Sequence, residues 1–74
     1  MQPILPTLRQ LEYFLGIVDH GSFRAAAEAS FVTQPALSSQ IQQLEKTLGV
    51  TLFERAGRSV HLSAAGERLL PRAR

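Results

Sequence analysis

The sequence predicts a small, mainly α-helical domain with three helices, a two-stranded hairpin and the beginning of a fourth helix. Two observations support this fold class. Apolar residues recur at helical spacing in segments that begin after Thr or Ser, and the first and third of these segments end at Gly. After Gly49 the pattern changes to the alternation that is typical of strands. The chain has 74 residues, so we expect one domain that buries roughly 60% of its unfolded surface.

The first two helices are predicted from their caps and their apolar spacing. Thr7 caps a first helix that runs to about His20 and ends at Gly21. Its predicted core stripe consists of Leu8, Leu11, Phe14, Leu15 and Val18. Ser22 caps a short second helix, residues 23–29, in which a run of three alanines allows another helix to approach closely.

A third helix follows after a connector of only three residues. Thr33 caps it, Pro35 lies in its first turn, and Gly49 ends it, so the predicted helix spans 33–48. Its core stripe is Leu37, Ile41, Leu44 and Leu48. Two helices joined by so short a turn have the layout of a helix-turn-helix motif.

The face opposite that stripe is polar and contains no acid. It carries Pro35, Ser38, Ser39, Gln42, Gln43 and Lys46. Solvated helix faces usually mix Glu with Lys, whereas amides and hydroxyls can hydrogen-bond to base edges in a DNA groove. The residues alone leave three further interpretations open: a merely solvated face, a protein-interaction module, and a domain that binds RNA.

A hairpin, or wing, is predicted at 54–62, around a turn that contains Gly57 and Arg58. His61 is expected on this wing. Ser63 can cap a fourth helix that begins at Ala64 and is still running when the sequence stops, and we therefore expect a longer protein.

Charge and composition favour a nucleic-acid partner over catalysis. The net charge is +2, yet no Lys or Arg lies between Ala25 and Glu45, which suits a neutral reading surface with positive edges. The chain lacks cysteine, and His20 and His61 have no ligand-spaced partner, so we expect no metal, no cofactor and no enzyme. Without a long apolar run or a signal-peptide pattern, a soluble cytoplasmic protein is expected, with no membrane partner.

Three segments carry a family resemblance: LRQLEYFLGIVDHGSF, RAAAEASFVTQPALSSQIQQLEKTLGVTLFER and GRSVHLSAAGERLLPRAR. From Leu8 to Arg74 the chain resembles the N-terminal DNA-binding domain of LysR-type transcriptional regulators. The resemblance implies a winged helix-turn-helix domain over 1–62 and the start of a linker helix over 63–74. It also implies a C-terminal effector-binding domain, which this chain does not include, and the nucleoid of a bacterial cytoplasm as the location.

The resemblance also implies roles for individual residues in binding double-stranded DNA. Base contacts in the major groove are expected from Gln34, Pro35, Ser38 and Ser39, with Gln42 as an addition. Relatives often carry Arg where this chain has Ser39 and Gln42, so we expect recognition to depend more on DNA shape here. Glu45 is expected beside the apolar stripe and away from DNA.

Contacts to the DNA backbone or minor groove are expected from Ser22, Arg24, Thr33, Lys46, Arg55 and Arg58. Of these, Arg58 is expected in or beside a minor groove. Leu69 and Leu70, on the exposed side of the linker helix, are expected to form a homodimer, with a tetramer of the full-length protein as an alternative. A two-fold dimer predicts a pseudo-palindromic DNA site.

Overall fold

The computed structural model describes residues 5–56 and 59–74. Their secondary structure follows the order α1 (Leu8–His20), α2 (Phe23–Ala29), α3 (Gln34–Leu48), β1 (Phe53–Ala56), β2 (Ser59–Leu62) and α4 (Ala64–Ala73). The predicted fold class is confirmed: three helices form the body, and a two-stranded antiparallel hairpin and a fourth helix follow. Among the described residues, no helix is both long enough and apolar enough to cross a bilayer.

Each helix begins where the sequence places a hydroxyl cap. Thr7, Ser22, Thr33 and Ser63 each accept a hydrogen bond from a backbone N–H of the first turn. Helices α1 and α3 end at Gly21 (φ 78°) and Gly49 (φ 70°). Because a side chain is disfavoured in this left-handed region, glycine is the residue that ends both helices at the lowest cost.

Helix α2 ends differently, with a phenylalanine in the left-handed conformation. The N–H of Phe31 donates to the Glu28 carbonyl at 3.2 Å, and the N–H of Val32 donates to the Ala27 carbonyl at 3.1 Å. This hydrogen-bond pair is the Schellman motif, in which glycine usually occupies the left-handed position. Phe31 has φ 58° and its side chain is 94% exposed. The motif creates the tight turn between α2 and α3.

The core lies between the three body helices and the hairpin. Its buried apolar residues are Phe14, Ile17, Phe23, Ala26, Ala27, Leu37, Ile41, Leu44, Leu52 and Phe53. The Phe53 ring of β1 lies 5.4 Å from the Phe14 ring and 5.5 Å from the Phe23 ring, measured between centroids. These aromatic contacts attach the hairpin to α1 and α2.

The core face of α1 contains most of the predicted stripe, since Phe14 is buried and Leu11, Leu15 and Val18 pack against the core, but its fully buried side is shifted. Leu8 is 74% exposed, whereas Gln10 is 1% exposed together with buried Phe14 and Ile17. The buried face is therefore rotated by about one residue, roughly 100°. Gln10 forms a capping box with Thr7 and donates to Gln40 of α3, so its buried amide has polar partners.

The hairpin pairs Phe53 with Leu62 and Glu54 with His61, so the predicted wing is present and His61 lies on it. Helix α4 packs against α1 and β2. Its Leu69 and Leu70, predicted on an exposed side, are only half exposed because both pack against the core.

Candidate nucleic-acid interface

Helix α3 has an apolar inner face and a polar outer face. Leu37, Ile41 and Leu44 are buried. The predicted base-contact residues all lie at the surface: Gln34, Pro35, Ser39 and Gln42 are exposed, and Ser38 is half-buried at the edge. At about 100° per residue these five positions span about 140° of the helix circumference. The structure thus brings them together on one outer face of α3.

This outer face is electrostatically suited to an anionic ligand. The first turn of α3 contains no acidic residue, so the positive end of the helix dipole at Thr33 is not neutralised by its own helix. The single acid in α3 is Glu45, near the other end. A duplex could therefore approach the N-terminal half of α3 without meeting a carboxylate of that helix.

Glu45 lies half-buried at the edge of this face, and its carboxylate is turned towards the segment that leads into β1. Its Oε2 accepts a hydrogen bond from the Leu52 N–H at 2.7 Å. A shallow groove runs between α3 and this segment, and its lining includes Gln42, Glu45, Lys46 and Thr51. The Glu45 carboxylate thus has a structural partner beside the polar face.

The opposite edge of α3 contacts α1 through a buried amide that sequence reasoning missed. Gln10 Nε2 donates to Gln40 Oε1 at 3.4 Å, and Gln10 Oε1 accepts from the Thr7 N–H at 3.2 Å. The signal for this residue was present in the sequence, because Thr followed three residues later by Gln is the spacing of a capping box. The bond links the start of α1 to the side of the candidate interface helix.

The residues predicted to contact the DNA backbone differ in whether their side chains already have a partner within the protein. Lys46 is exposed on the last turn of α3. Arg24 is exposed, but its Nε lies 3.3 Å from Glu28 Oε1 in an exposed ion pair, which is a weak interaction in water. The Ser22 and Thr33 hydroxyls are engaged as helix caps.

Two predicted contacts fall on the wing. Arg55 has its backbone in β1, opposite Val60, but its side chain lies outside the described residues. Arg58 lies outside them entirely. Their proposed contacts to DNA therefore rest on the sequence.

The chain matches a known protein family over most of its length. Residues 8–67 match the model described as "Bacterial regulatory helix-turn-helix protein, lysR family". Among curated proteins, a probable hydrogen peroxide-inducible genes activator of Streptomyces viridosporus is 52% identical over 69 residues, which cover 93% of this chain and 22% of the relative. The transcriptional activator CmpR of Synechocystis is 48% identical over 64 residues, covering 86% of this chain and 21% of the relative.

Solved structures give the same result. An OxyR variant of Corynebacterium glutamicum with bound hydrogen peroxide superposes with a TM-score of 0.90 at 42% identity, covering 99% of this chain and 22% of that chain. The complex of the CbnR DNA-binding domain with DNA gives a TM-score of 0.86 at 43% identity, covering 90% of this chain and 77% of that chain.

A second DNA complex, of the BenM DNA-binding domain with benA site 1, gives a TM-score of 0.86 at 42% identity, covering 90% of this chain and 78% of that domain. By contrast, the chain spans only 22% of the length of the first curated relative above. The family match covers most of this chain, and its winged helix-turn-helix fold is the fold of solved DNA-binding domains. The chain therefore belongs to the lysR family of bacterial regulatory helix-turn-helix proteins and is a DNA-binding domain of that family.

Proposed function

We propose that this chain binds double-stranded DNA in a sequence-dependent way, with α3 in the major groove and the wing at the minor groove. The observation that carries the proposal is the outer face of α3, which is exposed, polar and free of acids in its N-terminal half. Similarity to two domains whose structures were solved with DNA supports the same assignment.

The proposed base contacts follow from the chemistry of the side chains on that face. Gln34 and Gln42 carry amides that can pair with adenine N6 and N7, and the Ser38 and Ser39 hydroxyls can donate or accept. The Pro35 ring provides an apolar surface for a thymine methyl group. These uncharged groups distinguish bases, whereas charged groups fix the position of the duplex.

Phosphates are proposed to lie beside the helix ends and the wing. The N-terminal ends of α3 and α2, which follow Thr33 and Ser22, are the positive ends of the helix dipoles and favour anions, and Arg24 and Lys46 add positive charge at the edges. The wing arginines, Arg55 and Arg58, are proposed to contact the backbone or an adjacent minor groove, which A·T-rich sequence makes narrower.

In the whole protein this domain is proposed to act as one half of a homodimer on a pseudo-palindromic site. Its curated relatives are named as transcriptional activators and regulators, so we propose regulation of transcription rather than catalysis. We also propose a cytoplasmic, nucleoid-associated location. The linker helix and its Leu69 and Leu70 are proposed to contribute to the dimer contact.

Selection of bound duplexes from a random pool tests the proposal. We expect enrichment of a short motif, and we expect competition by the enriched duplex to exceed competition by structured RNA in a gel shift. Enrichment of no motif, or stronger competition by RNA, would contradict the proposal. A chain that binds neither would favour a protein-interaction module.

A further inference from the structure

Leu52 is the residue at which α3, the hairpin and α4 meet. Its N–H donates to the Glu45 carboxylate of α3 at 2.7 Å, and its carbonyl accepts from the Ser63 N–H at 2.9 Å. Its side chain is fully buried, and β1 begins at the next residue. The backbone of this one residue therefore connects α3 to the base of the hairpin and to the cap of α4.

The hairpin and α4 share this base. Ser63 Oγ donates to the Thr51 carbonyl and accepts from the Gly66 N–H at 3.0 Å. Gly66 packs directly on the Leu52 carbonyl, where a Cβ atom would collide with the carbonyl oxygen and would lie 2.8 Å from Leu62 Cδ2. We call Leu52, β1, β2 and α4 the hairpin–α4 unit, since these contacts hold its parts together.

Directional contacts between this unit and α3 depend strongly on Glu45. The Glu45 carbonyl accepts from the Gly49 and Val50 N–H groups, and its carboxylate accepts from Leu52. Glu45 therefore fixes both ends of the connection 49–52. The aromatic contacts of Phe53 are made with Phe14 of α1 and Phe23 of α2, so they hold the hairpin to those helices and not directly to α3. The Arg74–Asp19 bond of 3.0 Å between α4 and α1 is more than half exposed on both sides, and exposed pairs are weak.

We propose that Glu45 is a positioning residue: its carboxylate sets the orientation of the wing relative to α3, so that both contact one duplex together. A carboxylate that accepts from a backbone N–H forms a short, charge-assisted bond, and the 2.7 Å distance has that character. This inference rests on the proposed function, because orientation matters only if α3 and the wing bind the same DNA.

Two affinity ratios measured on synthetic duplexes test the proposal. The base ratio compares the duplex selected from the random pool with one that has a base pair changed opposite α3. The flank ratio compares the selected duplex with one whose flanking A·T pairs are replaced by G·C pairs, which alters the minor groove at the wing. A merely structural role would lower the folded fraction and weaken all duplexes equally, leaving both ratios unchanged.

For Glu45→Ala we expect an unchanged base ratio and a flank ratio that falls to about one, because the wing no longer meets the duplex in register. Glu45→Gln keeps an acceptor for the Leu52 N–H, so it should keep the flank ratio of the wild type. Three outcomes would overturn the proposal. Glu45→Ala could keep the flank ratio of the wild type, or Glu45→Gln could lose as much of that ratio as Glu45→Ala does. The third outcome is a flank ratio of about one in the wild-type chain itself. A wild-type base ratio of one would instead overturn the proposed function.

Hydrogen exchange of the wild-type chain tests, without any variant, the bond on which the proposal depends. We expect the Leu52 amide to exchange as slowly as the amides in the middle of α3, because the Glu45 carboxylate holds it. Exchange of the Leu52 amide at the rate of a free loop would overturn the proposal.

Discussion

At the scale of single residues, the candidate interface separates two kinds of chemistry. Amides and hydroxyls occupy the outer face of α3, whereas the fixed charges Arg24 and Lys46 are exposed on α2 and on the last turn of α3. Base edges are distinguished by paired donors and acceptors, while phosphates respond to charge irrespective of sequence. Substitutions in the two groups should therefore have different effects on DNA binding.

Gln34→Ala should lower the ratio of specific to non-specific affinity. A bidentate amide contact to adenine distinguishes bases by roughly 1 to 3 kcal/mol, and Gln34 is exposed at the first position of α3. The ratio is measured by titration with the selected duplex and with an unrelated duplex. Gln43→Ala is the matched control, because Gln43 is an exposed glutamine of the same helix outside the proposed contact set. Equal ratios in the two variants would remove Gln34 from that set.

Lys46→Ala should weaken binding to every duplex by a similar factor and reduce the salt slope of binding by about one, as expected for loss of one phosphate contact. The same result is expected for Arg58→Ala, because the sequence predicts that Arg58 lies in the turn of the wing. Affinity measured over a series of salt concentrations gives the slope. Lys46→Arg serves as the control, since it keeps the charge. An unaltered slope in Lys46→Ala would place this side chain in solvent.

At the scale of elements, sequence patterns predicted the ends of the helices better than their faces. Caps and glycine stops depend on residues close in sequence, so Thr7, Gly21 and Gly49 were sufficient to place them. The buried face of α1 depends on what packs against it, and the rotation that exposes Leu8 and buries Gln10 could not be deduced from apolar spacing alone. The hydrogen bond between Glu45 of α3 and Leu52, just before β1, joins residues of different segments, and no local sequence pattern predicts it.

Two glycines within helices should respond oppositely to alanine. Gly66→Ala places a Cβ atom against the Leu52 carbonyl, and such overpacking is expected to destabilise the chain by about 1 to 3 kcal/mol. Gly16→Ala places a Cβ atom at an ordinary 3.9 Å from Ala26 Cβ, so it should stabilise α1 by about 0.5 to 1 kcal/mol. Urea unfolding followed by circular dichroism measures both changes. Similar effects at the two sites would contradict the packing of α4 on Leu52.

At the scale of the whole molecule, one side of α4 packs against the domain, and we propose that its remaining surface contacts a second copy in the dimer. Leu69 and Leu70 are half-buried against the core, and each keeps part of its surface open. The sequence placed these leucines on a helix that continues to the end of the chain, but it could not show that they pack back on the domain. Sedimentation at rising concentration is expected to show association of the chain, and Leu70→Ser should reduce it. Monomers at every concentration would contradict the proposed dimer contact.

The central claim, that the outer face of α3 contacts bases in the major groove, is tested most directly by NMR of the labelled chain bound to its selected duplex. We predict intermolecular contacts from the side-chain amides of Gln34 and Gln42 to major-groove base protons. The Gln40 amide, which faces Gln10 of α1, should show none. Base contacts from Gln40 or from α1, with Gln34 and Gln42 unchanged on binding, would contradict the account.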